Sequence, residues 1–270
     1  MRRRLVALLG AAAVVWAGLS APAYAAEGVK LSVLHAVPDL TVDVYVNGER
    51  TIDDFKPGTL AGPLNLDAGS YEVAITARDA DDDSDPAIGP VDLKLEAGGN
   101  YTAVAHLTEN GDPTATLFRN DTSKTGAGKG RLTVRHTAAA PAVDVLAGGK
   151  AVISDLTNPN EKVLDLAAGS VNASVAAAGT TDPVIGPADV TVAEGKNTIV
   201  YAWGSLKDDN LKLAVQTISG LHTPPHGVNA GEVGLAAEPS WSGYLLLVLL
   251  LGGSVALVGR TVQRKAAAHR

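Results

Sequence analysis

Hydrophobic and polar residues alternate along most of this chain, and no stretch between its two terminal segments keeps a helical period. The alternating runs are short, and Asn-Gly, Pro-Gly, Ala-Gly and Gly-Gly pairs separate them. Alternation of this kind indicates half-buried β-strands, and these dipeptides are typical of the tight turns between strands. The pattern therefore predicts an all-β body made of short antiparallel strands.

The alternating pattern occurs twice, about a hundred residues apart. LHAVPDLTVDVYVNGE at 34–49 returns as RHTAAAPAVDVLAGGK at 135–150, and LDAGSYEVAI at 66–75 returns as LAAGSVNASV at 166–175. A third block, DPAIGP, returns in the same order as DPVIGP. Ordered recurrence of this kind indicates duplication of a structural unit. Because each copy has room for seven or eight strands, we expect two tandem immunoglobulin-like β-sandwich repeats.

The two repeats are expected to occupy most of the chain, with short connections after each. The first is predicted at 28–119 and the second at 130–218. Residues 120–129 are small and polar, which predicts a flexible linker. Residues 219–240 are rich in Gly, Pro and Ala, and this composition is typical of a stalk.

The two ends of the chain predict where the protein resides. Residues 1–25 have three arginines, an apolar run and a final Ala-Tyr-Ala, the pattern of a secretory signal peptide. Residues 241–259 carry no charge and are long enough to cross a membrane as one helix, and the tail at 260–270 is basic. The positive-inside rule places that tail in the cytoplasm. A cell-wall sorting tail would look similar, but no LPxTG-type motif precedes this one. We therefore expect a single-pass cell-membrane protein with a large extracellular part.

Charge and composition narrow the chemistry of the exported body. Of the 22 Lys and Arg residues, 15 lie between 26 and 240 together with all 29 Asp and Glu residues, and 15 minus 29 leaves a net charge of −14. An acidic body of this kind repels phosphate backbones, so nucleic acid is not an expected partner. The chain has no cysteine, which excludes disulfides and thiolate chemistry.

The strand openings and turns together resemble a known family. Its features here are two Val-Asp-Val openings, two Ala-Gly-Ser turns and a closing His-Thr-Pro-Pro-His-Gly region, located at 42–44, 143–145, 68–70, 168–170 and 222–227. They resemble the DUF4397 domain family, whose exported bacterial members often combine a signal peptide, duplicated sandwich repeats and a terminal anchor. The resemblance implies a fold and a surface role, and it implies no catalytic residues.

The acidic segment between two predicted strands of the first repeat is the sharpest chemical feature. Asp79, Asp81, Asp83 and Asp85 stand at every second position, where their oxygens could converge on Ca²⁺. The second repeat has only Asp182 in the matching segment. Adjacent like charges in a turn are more often simply solvated, and we favour that interpretation. No other cofactor is expected.

The candidate catalytic groups are polar residues, some of which occur in both repeats and some in only one. His35 and His136 occupy equivalent positions, and a hydrogen-bonded structural histidine is the favoured interpretation. Asp43 and Asp144 are also equivalent, and an outward or turn-bonded carboxylate is favoured over a catalytic one. His106 corresponds to Trp203, which does not fit a duplicated active site.

The sequence therefore favours a non-enzymatic, membrane-anchored envelope protein with no catalytic residues. Its tandem sandwiches would present loops for binding or adhesion, to a cell-surface protein or a glycan. The alternative is an envelope hydrolase or metal-dependent enzyme that uses Asp and His residues on those loops. No GxSxG, HExxH, P-loop or GxGxxG motif supports this alternative.

Overall fold

The computed structural model describes residues 28–222, which form sixteen β-strands with no helix among them. The prediction of an all-β body is confirmed. Within the described residues, no helix is long and apolar enough to cross a membrane. The predicted signal peptide, membrane helix and basic tail, and all but the first residues of the predicted stalk, lie outside the described range.

Each repeat contributes eight strands, at the upper end of the predicted seven or eight. The first repeat contains β1 (Val29–His35), β2 (Val42–Val46), β3 (Glu49–Phe55), β4 (Leu60–Leu66), β5 (Gly69–Ala77), β6 (Ile88–Leu95), β7 (Asn100–Leu107) and β8 (Pro113–Arg119). The second contains β9 (Lys129–Ala139), β10 (Val143–Ala147), β11 (Lys150–Leu156), β12 (Glu161–Ala167), β13 (Gly169–Ala177), β14 (Pro183–Val192), β15 (Lys196–Ser205) and β16 (Lys212–Ser219).

The strands of each repeat form two four-stranded sheets that pack face to face. In the first repeat the strand orders are β4-β1-β7-β8 and β3-β2-β5-β6. The second repeat reproduces them as β12-β9-β15-β16 and β11-β10-β13-β14. Inward-facing residues of both sheets supply the core, as the period-two alternation predicts.

The pairing of the first and seventh strands corrects the expectation of antiparallel strands throughout. β1 runs parallel to β7, and β9 runs parallel to β15, whereas the other pairs are antiparallel. Alternation records which face of a strand is buried and carries no information about the direction of its neighbour.

Alternation does not predict four strands that lie at the edges of the sheets. In β3, Phe55 is the single buried residue, and β4 has none. Their counterparts β11 and β12 are also mostly exposed. An edge strand contacts solvent along much of its length and therefore tolerates polar residues on both faces.

The two repeats pack together through a core of their own. The sheet β4-β1-β7-β8 faces the sheet β12-β9-β15-β16, and the side chains buried between them include Leu34, Val104 and Phe118 of the first repeat and Ile199, Tyr201 and Trp203 of the second. Both repeats consequently fall within one compact unit.

Arg135 is the central polar residue of this joint. Its side chain is 1% exposed, and its Nε donates to Glu161 at 2.7 Å. Its Nη1 donates to the Tyr201 hydroxyl at 2.8 Å, and its guanidinium lies 4.3 Å from the centre of the Phe118 ring. Gln216 accepts hydrogen bonds from Tyr201 and from Thr102 of the first repeat. The charge is therefore paired and covered within the joint.

The predicted linker is fastened to the sandwiches at several points. Asn120 is buried and its side-chain amide donates to Asn100 at 2.7 Å. The Thr125 amide donates to the carbonyl of Leu221, a buried residue at the start of the predicted stalk. Arg131 donates to the Ser123 carbonyl at 3.1 Å. Its small, polar composition predicts flexibility, but these contacts with both repeats hold the segment in place.

Candidate functional site

The core of the first sandwich is divided into two clusters, whereas the core of the second is continuous. One cluster of the first sandwich is built around Val44, Ile75 and Ala105, and the other around Leu31, Leu93 and Ala103. The second sandwich buries its equivalent residues in one cluster. Val33 and Val73, which are only half-buried, pack against both clusters of the first sandwich.

A cavity of about 280 Å³ lies between the two clusters of the first sandwich. Its walls are mostly aliphatic side chains from both sheets, including Leu31, Val33, Ile75, Val91 and Leu93. Protein interiors are normally packed to the density of organic crystals, and cavities lined by apolar groups stay dry. Empty space of this size and lining suits an apolar guest.

The matching space in the second sandwich measures only about 30 Å³. Strand pairing explains the difference. Ala105 pairs with Ala115 in the first repeat, and their equivalents Ala202 and Leu213 pair in the second. Ala103, two residues before Ala105 on the same face of β7, corresponds to Val200. The larger side chains of Val200 and Leu213 line and reduce the space that Ala103 and Ala115 leave open.

The cavity reaches the surface where the β2–β3 hairpin faces the end of β4. Asn47, Glu49 and Thr51 line it there and are exposed, and Leu64 beside them is 37% exposed. Glu49 carries the only formal charge among the lining residues. The mouth therefore combines hydrogen-bonding groups with one negative charge, in front of an apolar interior.

The buried aspartates hold two bends of the backbone. Asp43 accepts hydrogen bonds from the amides of Asp54 and Asp79, at 2.9 and 3.2 Å. Asp144 accepts equivalent bonds from Asp155 and Gly179, both at 2.9 Å. The four donors have φ between 50° and 77°, a left-handed conformation that Asp and Gly adopt more readily than most residues. Of the two roles favoured from the sequence, outward or turn-bonded, the structure shows the turn-bonded one, and both carboxylates are buried.

The pKa of each aspartate follows from these contacts. Burial would raise the pKa of the Asp43 carboxyl, but the Asp54 amide, the Arg50 guanidinium and the Asp79 amide together hold it below the usual range. For Asp144, the amides of Asp155 and Gly179 lower the pKa and outweigh burial. Both groups are therefore ionised structural acceptors, a state that does not suit a proton donor at neutral pH.

His35 and His136 are buried and hydrogen-bonded, as favoured from the sequence, and His106 is buried and hydrogen-bonded as well. His35 and His136 each donate from Nε2 to a carbonyl five residues later, Leu40 at 2.6 Å and Pro141 at 3.0 Å. His106 donates from Nδ1 to the Leu107 carbonyl, and its Nε2 accepts from Thr116. Burial lowers the pKa of all three rings, and these hydrogen bonds to carbonyls offset only part of the effect.

The acidic loop between β5 and β6 does not bring its carboxylates together. Asp79, Asp81 and Asp85 are exposed, and Asp83 is half-buried. Asp79 pairs with Arg78 at 2.9 Å. In residues 28–222, no group of three or more His, Cys, Asp or Glu side chains is placed to hold a metal ion. The four carboxylates therefore do not form a preassembled calcium cage, and calcium binding here stays a prediction.

The cavity residues were not singled out from the sequence. Ala103 and Ala115 occupy ordinary apolar positions of alternating strands, so they look like any other core residues. A signal does exist in the comparison of the two repeats, because the same positions hold Val200 and Leu213 in the second copy. Smaller side chains at two neighbouring core positions of the first repeat are therefore the sign of the cavity in the sequence.

Comparison with known proteins bears on the fold and the repeat. A model of the family described as "Domain of unknown function (DUF4397)" matches residues 29–146 and again residues 137–227. No curated protein matches the chain. The first match covers the first sandwich and extends into β10, and the second begins within β9 and covers the rest of the second sandwich. Together they cover more than half of the sequence. The chain belongs to the DUF4397 family, with two copies of its domain in tandem.

Proposed function

We propose that this protein is a non-enzymatic, membrane-anchored protein of the cell envelope whose first sandwich binds a small apolar group. The observation that carries the proposal is the cavity of about 280 Å³ in the first sandwich, set against about 30 Å³ in the second. The two copies share strand order, and β7 pairs with β8 in the same register as β15 with β16, so the strand order does not by itself require the larger space. The β1–β4 pair has a register shift between Leu31 and Val33 that the β9–β12 pair lacks. An apolar interior with a polar mouth is the usual form of a small-molecule site.

The roles of the polar side chains support binding over catalysis. His35 and His136 donate from Nε2 to backbone carbonyls, and Asp43 and Asp144 accept from backbone amides. His106 is bonded to Leu107 and Thr116. A general acid or base needs access to its substrate at a hydrogen-bonding distance. Each of these groups instead serves the turns and strands around it.

The proposed location rests on the two terminal segments of the sequence. A signal peptide at 1–25 would export the chain, and a helix at 241–259 would anchor it, with the sandwiches outside. Protease added to intact cells should then digest the sandwiches and leave the basic tail with the membrane. Full protection of the sandwiches would contradict this topology.

The immunoglobulin-like character of each repeat is also part of the proposal. Two four-stranded sheets in about a hundred residues support it. The parallel β1–β7 pair distinguishes this arrangement from sandwiches that contain antiparallel pairs alone.

Benzene provides a direct test of binding, because it has no polar group and an engineered apolar cavity of about 150 Å³ holds it. It should raise the melting temperature of a soluble fragment spanning residues 26–240 through binding to the native state. The double variant Ala103→Val, Ala115→Leu should lose most of that rise. An equal rise in both proteins would place the binding elsewhere and contradict the proposal. Turnover of a peptide, ester, glycan or phosphate substrate that disappears on changing one Asp or His would also contradict it.

A further inference from the structure

The size and position of the cavity restrict which apolar group it can hold. The inference rests on the proposed function and adds the chemical class of the ligand. Because an engineered cavity of about 150 Å³ holds one six-carbon ring, a space near 280 Å³ accommodates roughly ten to twelve carbon atoms.

The shape of the space favours an extended chain. Its lining runs from the cluster around Val44 and Ile75 to the cluster around Leu31 and Leu93, along the length of the sandwich. The two sheets of a sandwich are separated by only about 10 Å, which leaves room for a single layer of atoms between the side chains. A space between two sheets that follows alternate positions of β5, from Tyr71 through Val73 to Ile75, fits an alkyl chain better than a branched or multi-ring group.

The charge at the mouth restricts the polar end of the ligand. Asn47 and Thr51 offer neutral hydrogen-bonding groups, and Glu49 adds a negative charge. The neighbouring cation, Arg50, is paired with Asp43 at 3.1 Å and with Asp53 at 3.3 Å. No lining residue carries a positive charge that would attract an anion.

We infer that the first sandwich binds a single-chain amphiphile of roughly ten to twelve carbons, chain first, whose polar end at Asn47, Glu49 and Thr51 is not negatively charged. Long-chain alcohols and alkylammonium compounds belong to this class, and fatty acids of the same length do not. The second sandwich has the same fold without the space, so it serves as a support for the first.

Photo-crosslinking on the full chain in its native membrane tests this inference. Three probes share one ten-carbon alkyl chain with a diazirine near its end, and they carry a hydroxyl, a trimethylammonium or a carboxylate group. The hydroxyl and trimethylammonium probes should label the peptides of β5 to β8 about fivefold more than the carboxylate probe, since a charge–charge repulsion near the surface is worth about that factor. Glu49→Gln should raise labelling by the carboxylate probe relative to labelling by the hydroxyl probe, because it removes the negative charge at the mouth.

Two matched variants separate the inference from the proposed function. Ala103→Val with Ala115→Leu should abolish labelling in the first sandwich, and Val200→Ala with Leu213→Ala should create labelling in the second. Equal labelling by all three probes that is still lost in the filled variant would overturn the inference about the polar end and leave binding intact. Labelling that persists in the filled variant would overturn the inference and the proposed function together.

Discussion

Asp43 and Asp144 show how one buried side chain can determine a stretch of backbone. Each carboxylate accepts hydrogen bonds from two amides that lie 11 and about 35 residues further along the chain. The donors adopt left-handed conformations that need support. Because the arrangement occurs in both repeats, it explains why the Val-Asp-Val opening is present twice without any catalytic role.

Replacing Asp43 by Asn should therefore destabilise the first sandwich. The amide of Asn turns one acceptor into a donor that faces a backbone N–H, and we expect a loss of about 1–3 kcal/mol in the free energy of unfolding. Denaturant titration of residues 26–240 measures it. Asp53→Asn is the matched control, since Asp53 also pairs with Arg50 but is 70% exposed, and it should change stability by less than about 1 kcal/mol. Equal effects of the two substitutions would contradict the structural role of Asp43.

The three buried histidines predict that stability falls in mild acid. Burial lowers the pKa of His35, His106 and His136 in the folded protein below the unfolded value of 6.5. Below that pH the unfolded chain binds more protons, so stability that is present above 6.5 is lost as the pH falls. Asp43 and Asp144 have lowered pKa values, so their contribution is lost only further down, below their unfolded value of 3.8.

Denaturation midpoints at about pH 7.5, 6 and 5 measure the histidine effect. His106→Gln keeps a hydrogen-bonding side chain without the titration, and it should make the decline shallower. A midpoint that is constant over this range would contradict the prediction.

Strands β7 and β8 differ from their counterparts β15 and β16 by the volume of their inward side chains. Ala103 and Ala115 leave a cavity where Val200 and Leu213 leave little space. In the second sandwich, β15 and β16 fill most of the space between the sheets, whereas the equivalent strands β7 and β8 leave it open in the first. The strand order is the same in both sandwiches.

Opposite substitutions in the two copies should change stability in opposite directions. Leu213→Ala should cost about 2 kcal/mol, at the low end for such changes because Leu213 is half-buried. Ala115→Leu adds contacts in existing space and should gain about 0.5–2 kcal/mol. Urea titration of the two variants and the parent measures both. A strong loss from Ala115→Leu would show that the first sandwich has no room there.

The two sandwiches are joined by complementary faces that descend from one ancestral surface. Leu34 pairs with Leu60 in the first repeat, and Arg135 pairs with Glu161 at the equivalent positions of the second. The pair is apolar in the first repeat, and in the second it is a charged pair whose guanidinium lies over the Phe118 ring. A duplicated domain thus acquired a specific partner in its own neighbour.

The two repeats should unfold together because they share this core, and their stability should depend on the paired charge. Arg135→Leu leaves Glu161 without its partner and should cost about 3 kcal/mol. The double variant Arg135→Leu, Glu161→Leu reproduces the leucine pair of the first repeat and should recover more than half of that loss. Calorimetry should show one transition for the parent protein. Two separate transitions, or no recovery in the double variant, would contradict a shared core.

Most strand positions and the duplication follow from the sequence alone, because alternation reports directly which residues of a strand face the core. The turn-bonded aspartates and hydrogen-bonded histidines were also predicted, since equivalent polar residues between apolar ones have few other roles. Edge strands β3 and β4 were missed because solvent accepts polar residues on either face of an edge. The parallel β1–β7 pair, the joint around Arg135 and the cavity beside Ala103 depend on tertiary contacts. Each of these is set by residues that are distant in the chain, and alternation within one strand does not record what lies opposite it.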